Sequence, residues 1–301
     1  MSRARTPGEG ETALVKTYND LYIRIRRALR AAGVEASSLE ARLLLAHAAG
    51  KTVEKLLQDM CLYCTDTVEA DAAALLRRRL AGEPVAYITG SWEFYGMPLE
   101  INEHVLIPRA DTEVLVEKAL DKFIGRDMSP RVLDLCSGSG CIGCAIAREL
   151  PASRVVMLDI SDKAISLSRR NVLHNKLTPR VTCIQMDVRS APPVGLGTFD
   201  LIVSNPPYIP SAEMPELDAS VRDYEPHTAL DGGRDGLDFY HAILGGWQRL
   251  LRPGGWMFFE VGEDQAEHVS LLMRAKGFRQ IEQIPDTRGV LRVVDGCWPG
   301  M

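Results

Sequence analysis

Up to about residue 81 the apolar positions recur at helical intervals and never alternate in the manner of a half-buried strand. The spacing predicts a first helix from Asn19 to Ala32, stopped by Gly33 as a natural residue beyond a helix end. Ser37 and Glu40 have capping-box spacing and open the run LEARLLLAHAA, which stops at Gly50; Leu39, Leu43 and Ala46 mark its expected apolar face, with His47 at the edge. A short helix is predicted over Thr52–Met60. Asp66 and Glu69, again at capping-box spacing, precede another that ends at Gly82.

From residue 84 the character changes. PVAYITGSWEFYGMPLEINEHVLIPR is rich in aromatic and β-branched residues punctuated by Gly90, Gly96 and Pro98. It predicts a β-hairpin, Trp92–Phe94 against Leu99–Ile101, turning through Tyr95-Gly96-Met97. A helix follows from Asp111 to Leu120, its first-turn acids suited to the positive end of the helix dipole.

Beyond Arg131, short apolar runs alternate with helical segments. Strands are predicted at Val132–Leu135, Val155–Leu158, Val181–Ile184, Leu201–Val203, Gly255–Glu260, Arg279–Ile284 and Leu291–Val294. Helices are predicted near Ile142–Leu150, Lys163–His174 and Leu237–Leu251. Continuous apolar strands alternating with helices imply an open, doubly wound, mostly parallel sheet covered on both faces. The expected organisation is a helical bundle over residues 1–85, a hairpin linker over 86–107 and a seven-stranded α/β domain over 108–301.

Length and composition change this picture little. With 301 residues and 46% hydrophobic content the chain can bury a substantial core, and its apolar runs are too short to span a membrane. The opening residues MSRARTPGEG carry no secretory pattern. Cys61-x-x-Cys64 and Cys141-x-x-Cys144 have the spacing of half zinc sites, but they lie far apart. With seven cysteines and no secretory signal, reduced thiols in a cytoplasmic protein and no metal site are expected. A net charge of -5 gives no general attraction to nucleic acid. Arg24, Arg26, Arg27 and Arg30 still form a local basic stripe, either a solvated helix face or a docking surface for something anionic.

Candidate chemistry gathers at the expected strand ends. Asp134-Leu135-Cys136-Ser137-Gly138-Ser139-Gly140 leads from the first strand of the sheet into a helix, so its backbone can approach a ligand closely. It fits neither GxGxxG nor GxxxxGK[ST], which disfavours a phosphate cradle. Asp159 ends the second strand, where a carboxylate can hold two ribose hydroxyls, and Asp187 closes the third, where it could accept an adenine amino group. The fourth strand runs into Asn205-Pro206-Pro207-Tyr208. The two prolines remove donors and keep carbonyls, leaving a stiff loop rich in acceptors. Asn205 adds a side-chain carbonyl and Tyr208 a flat surface. Such a site suits a planar nitrogen bearing two N–H groups, a carboxamide or an exocyclic amine, oriented towards a methyl sulfonium. Catalysis is therefore expected from Asn205, Pro206 and Tyr208.

The motif Asn205–Tyr208 with its upstream glycine loop resembles amino-methyltransferases that use S-adenosylmethionine. The chain as a whole is similar to the bacterial peptide-chain release factor glutamine methyltransferases. The likeness runs through EARLLLAH, Gly82-x-Pro84-x-x-Tyr87-x-x-Gly90, Glu93–Gly96, Leu106–Arg109 with Asp111–Glu113, Asn205–Tyr208, Glu225-Pro226 with Ala229-Leu230, and Gly289-x-x-Arg292. The resemblance implies methyl transfer from S-adenosylmethionine to the side-chain nitrogen (N5) of the glutamine in the Gly-Gly-Gln tip of release factors. Asn205, Pro206, Pro207 and Tyr208 would then bind the substrate amide. Asp134, Cys136, Ser137, Gly138, Gly140, Asp159, Asp187 and Asn205 would serve the cofactor. Because its helices carry no apparent reaction centre, the helical domain is expected to recognise the protein substrate, and a monomeric cytoplasmic enzyme with no direct requirement for nucleic acid or membrane is expected. The chain departs from the family at Cys136, where a glycine is usual, at Ser137 for the commoner threonine, and at Ala110, where the family has proline. A glutamine of a ribosomal protein, or adenine N6 in nucleic acid, would suit the same motif. A dinucleotide enzyme would explain the glycine loop and Asp159 but not Asn205–Tyr208, and a donor-binding scaffold without activity would not need Asn205.

Overall fold

The computed structural model describes residues 16–123, 125 and 128–300, so the polar opening segment lies outside it. The chain divides into two compact units after Thr89. The first is helical, with α1 (Tyr18–Ala31), α2 (Ser37–Ala48), α3 (Val53–Gln58), α4 (Asp66–Leu80) and α5 (Val85–Thr89).

Threonines start three of these helices. Thr17 forms a reciprocal capping box with Asp20, and the Thr52 and Thr65 hydroxyls accept from the backbone of Lys55 and Val68. The Ser37–Glu40 box does not form. Residue 36 is the cap and makes no side-chain bond, while the Glu40 carboxylate is drawn off to Arg79 at 2.6 Å. Glu69 is likewise committed to Lys16 and to Arg24, the latter at 2.8 Å, and thus neutralises one member of the basic stripe. Of the expected α2 face, Ala46 is buried and Leu43 partly so, but the face centres elsewhere. Ala41, Leu44 and Leu45 are fully buried, and Leu39 is 48% exposed. With Leu43, Leu44 and Leu45 in succession, periodicity alone could place the stripe on either side.

The second unit contains the hairpin β1 (Ser91–Phe94) and β2 (Met97–Glu100), then α6 (Ala110–Asp121), β3 (Arg131–Leu135), α7 (Cys141–Glu149), β4 (Arg154–Asp159), α8 (Asp162–His174), β5 (Val181–Gln185) and β6 (Phe199–Ser204). It continues through α9 (Ala219–Arg222), α10 (Asp238–Gly246), β7 (Leu251–Glu260), α11 (Ala266–Ala275), β8 (Arg279–Pro285) and β9 (Leu291–Trp298). The hairpin, expected as the linker between domains over residues 86–107, falls within the second unit, where α8 holds it. Asn171 of α8, fully buried, accepts from the Glu100 backbone at 2.7 Å and donates to the Glu100 and Ser139 carbonyls.

The sheet runs β5-β4-β3-β6-β7-β9-β8, parallel through β7, with β9 antiparallel to both of its neighbours. β6 is buried along its whole length, as a central strand covered on both faces must be. Tyr240, Trp247, Phe199 and Phe259 are among the side chains that fill the core beside it, each worth about 1.5–3 kcal/mol of burial. Connectivity proceeds from β3 outward to β5, then returns across β3 to β6. That reversal leaves a crevice at the carboxyl ends of β3 and β6, the place where open α/β sheets bind ligands. No helix among the described residues is long and apolar enough to cross a membrane.

Candidate active site

A cavity of about 390 Å³ opens at this switch point. Four neighbouring strands supply the residues at or just beyond their ends: Cys136 to Ser139 after β3, Asp159 to Ser161 at β4, Met186 to Arg189 after β5, and Asn205 with Pro207 after β6. Thr112 and Pro108 reach it from α6 and the segment before it. Cys136, Ser137, Gly138, Asp159, Asp187, Asn205 and Pro207, scattered over 72 positions of sequence, therefore share one cavity.

The glycine loop is held by its neighbours. Gly138 donates its N–H to the Asp159 carboxylate at 2.8 Å, and its carbonyl accepts from Ser168 at 2.8 Å. The other Asp159 oxygen accepts from the Ser161 N–H at 2.9 Å, so the carboxylate is fixed at the cavity wall, while burial raises its pKa. Gly140 lies under the loop as the residue capping α7, with φ 80°. A Cβ there would stand 2.9 Å from Met157. The left-handed backbone favours glycine here, and an added carbon would also displace the flexible end of Met157. Cys136 takes φ 60°, a conformation costing a non-glycine residue about 1–2 kcal/mol. Burial pushes its thiol well up, so the group lining the cavity is neutral. The Ser137 hydroxyl is buried without a hydrogen-bond partner, an open donor at the loop.

Asp134 lies deeper than expected. It is fully buried below the loop and does not line the cavity. One oxygen accepts the Gly143 N–H at the start of α7, 2.9 Å away, and the other has no partner. Its role is thus to seat the helix, since an orphan N–H of the first turn needs an acceptor. Burial raises its pKa to about 8. A carboxyl raised on folding holds a proton that the unfolded chain releases above about pH 4. Its contribution to stability is complete below that value and is lost as pH rises through about 8. The thermal midpoint should therefore decline between pH 5 and 8, and the decline should be shallower in Asp134→Asn. Equal slopes in calorimetry would exclude Asp134 as the source.

Asp187 lines the cavity but already has a partner. Arg189 pairs with it at 2.9 Å and the same residue's backbone N–H donates to it, which lowers its pKa. Phe239, with the Arg189 guanidinium 5.6 Å above its ring, supplies a flat wall nearby.

The loop after β6 is built as a pair of chains. Ile209 donates to the Leu230 carbonyl and accepts from Gly232, so residues 230–233 run alongside it. Gly232 and Gly236 press directly on the Pro207-Tyr208 backbone. A Cβ at Gly232 would lie 2.7 Å from the Tyr208 Cα, and one at Gly236 2.2 Å from the Tyr208 oxygen. Gln265 donates to that same oxygen at 2.8 Å. Asn205 is half-buried, and its amide N–H points to the Thr112 hydroxyl at 3.4 Å. Asn205 itself lines the cavity. Pro206 and Tyr208 do not line it. Pro206 is buried, and the Tyr208 ring packs against the core, where burial raises the phenol pKa. Arg109, at the start of α6, pairs at 2.5 Å with Glu225, a carboxylate 4% exposed. Two motifs noted only through the family likeness thus meet.

The residues of the Asp231–Gly236 strap, Gln265, Asn171 and Thr112 were not singled out from sequence as site residues. The run Asp231-Gly232-Gly233-Arg234-Asp235-Gly236 was the one available signal, since three glycines in six positions mark a backbone approach. Cys141 and Cys144 are buried on α7, Cys61 is exposed in the other unit, and no cluster suited to a metal occurs among the described residues.

Comparison with known proteins gives the family. Residues 110–217 match the methyltransferase small domain and residues 20–90 the PrmC N-terminal domain. The release factor glutamine methyltransferase of Bradyrhizobium diazoefficiens is 38% identical over 270 residues, covering 88% of this chain and 90% of that protein. Its counterpart from Geobacter sulfurreducens is 42% identical over 264 residues, with coverage of 88% and 90%. A methyltransferase from Pyrococcus furiosus superposes with a TM-score of 0.51 at 18% identity, over 76% of this chain and all of that one, a likeness of fold alone.

Proposed function

The chain belongs to the family of release factor glutamine methyltransferases, which use S-adenosylmethionine, and on that premise we propose how its own residues carry the reaction. The substrate is the glutamine side-chain amide of a Gly-Gly-Gln release factor, met in the cytoplasm. One observation supports the assignment most directly: Asn205 lines the cavity with its amide N–H directed to the Thr112 hydroxyl, an arrangement that suits its carbonyl to accept from a substrate.

The site fits the methyl donor. The Asp159 carboxylate at the wall can take ribose hydroxyls, the Ser137 hydroxyl awaits a partner, and Ile160, Val188 and Phe239 offer apolar walls for a purine. The Asp187 carboxylate, oriented by Arg189, can accept the adenine amino group. When bound, S-adenosylmethionine supplies an electrophilic methyl group on a sulfonium. Asn205 accepts one N–H of the substrate carboxamide, which orients the nitrogen and favours the positive charge that develops there. Both proline positions lack an N–H and so present no competing donor. The helical unit, described over residues 16–89, is assigned to recognition of the protein substrate.

Incubating the protein with labelled S-adenosylmethionine and a release factor should place one methyl on the Gly-Gly-Gln glutamine by mass spectrometry. Label found instead on a ribosomal protein or on RNA would overturn the substrate. Asp159→Ala should weaken S-adenosylhomocysteine binding by about tenfold or more, from the loss of hydrogen bonds to a charged acceptor. An unchanged dissociation constant in a folded variant would remove Asp159 from the donor site.

A further inference from the structure

Glu260 ends β7 and is 2% exposed. The register of β6 on β7, with Ser204 opposite Phe259, brings the next pair, Asn205 and Glu260, side by side. Its backbone is fixed from two sides: the carbonyl accepts the Tyr240 hydroxyl at 2.8 Å, and the following residue, Val261, donates to the Arg292 carbonyl at 2.9 Å. Its side chain meets the Thr112 hydroxyl and the Asn205 amide, while Oε2 has no hydrogen-bond partner. Glu260 does not touch the cavity; Thr112 and Asn205 stand between.

A buried carboxylate in such a place needs a reason, because isolated charge is costly to desolvate. The Asn205 carboxamide can be turned either way about its last torsion, with the carbonyl or the NH₂ towards the cavity. Only the first can accept an N–H from a substrate amide. An ionised carboxylate is an acceptor alone, so it holds the NH₂ side and repels the carbonyl. We infer that Glu260 is a positioning residue of this site, which in its ionised form fixes the Asn205 carboxamide with the carbonyl towards the cavity, directly and through Thr112. The inference rests on the reading of Asn205 as the substrate acceptor.

A protonated Glu260 can donate to the Asn205 carbonyl, and the turned amide then offers N–H to N–H. Charge at Glu260 is set by the groups around it: Asp111 and Thr112 of α6, Cys141 of α7, Asn205 and Tyr208 after β6, Tyr240 of α10 and Arg292 of β9. Burial raises its pKa to about 7, against the pull of Thr112, Arg292 and Asn205. Arg292 belongs to the Gly289-x-x-Arg292 motif and supplies the cation behind the carboxylate.

The test compares single-turnover methylation of a Gly-Gly-Gln release factor across pH 5.5–8.5 (a range of about three units) in the parent and Glu260→Gln. S-Adenosylhomocysteine affinity is measured on the same preparations. A glutamine at this position offers both donor and acceptor and so permits both amide orientations. The parent rate should rise with pH through neutrality. Glu260→Gln should be about tenfold slower at pH 8 and lack that rise, with donor affinity unchanged. In the Asn205→Ala background, Glu260→Gln should cost nothing further, since two residues acting as one unit are not additive. Thr112→Val, which removes one donor to the carboxylate, should shift the parent's midpoint upward and gives the answer even if Glu260→Gln fails to fold. A Glu260→Gln enzyme that keeps the parent's pH profile, or whose loss multiplies with that of Asn205→Ala, overturns the inference. Normal turnover in Asn205→Ala alone would remove the site reading and this inference with it.

Discussion

Asn205→Ala is expected to lower single-turnover methylation of a Gly-Gly-Gln protein by about 10²–10³-fold, the usual cost of losing one positioned polar contact in a closed site. Affinity for S-adenosylhomocysteine should change little, because the glycine loop, Asp159 and Asp187 are held by bonds that do not involve Asn205. The split matters. A variant that had merely lost its fold would lose both. Asn205→Asp makes a sharper test. It keeps an acceptor but removes the N–H that points to Thr112, and it sets a second carboxyl beside Glu260. Two acids in contact, one of them buried, cannot both ionise readily, so turnover should again fall by about tenfold or more. Near-normal turnover in the alanine variant would dismiss Asn205 as the acceptor, even if the glutamine were the true target.

The second large effect is expected at Gly236, a residue with no functional group. Its φ is 75°, and a Cβ would lie 2.2 Å from the Tyr208 carbonyl oxygen and 2.4 Å from the Gln265 amide nitrogen. Gln265 could swing aside, but the Tyr208 carbonyl belongs to the loop that carries Asn205. Gly236→Ala should therefore destabilise the protein by about 2 kcal/mol or more, through left-handed strain and overpacking together. Turnover should fall up to about 10²-fold, because a displacement near 1 Å is enough to spoil alignment. Gly245→Ala is the matched control. That position lies exposed on α10 with nothing within 4 Å of the added carbon, and should gain about 0.5–1 kcal/mol from helix propensity. A Gly236→Ala variant with parental melting temperature and turnover would show that the strap does not set the loop.

Much of the architecture was legible because its signals are local. Strands β3, β4, β5 and β6 were found within two residues of their ends, since buried parallel strands read as short unbroken apolar runs. Helix starts were less legible. Ser37–Glu40 has the right spacing, but Glu40 finds Arg79, 39 positions away, and a distant ion pair outcompetes a local cap. Strand β7 begins at Leu251, four residues before its expected start at Gly255, because Phe199 of β6 pairs with it across an irregular stretch containing Pro253 and Gly254. No pattern within the strand itself announces a partner.

The sequence by itself determined the order of elements, the loop after each central strand, and the residue types able to hold a methyl donor and an amide. Those follow from neighbouring residues: apolar runs, glycines where the chain must turn, prolines where donors must be absent. Only the tertiary structure decided which of those residues reach the cavity. It set Asp134 under the loop as a support for α7, turned Tyr208 into the core, and brought Glu260 beside Asn205 from 55 positions away. Such placements depend on strand order and register, which are fixed by the packing of the whole sheet and leave no trace in the spacing of any one segment.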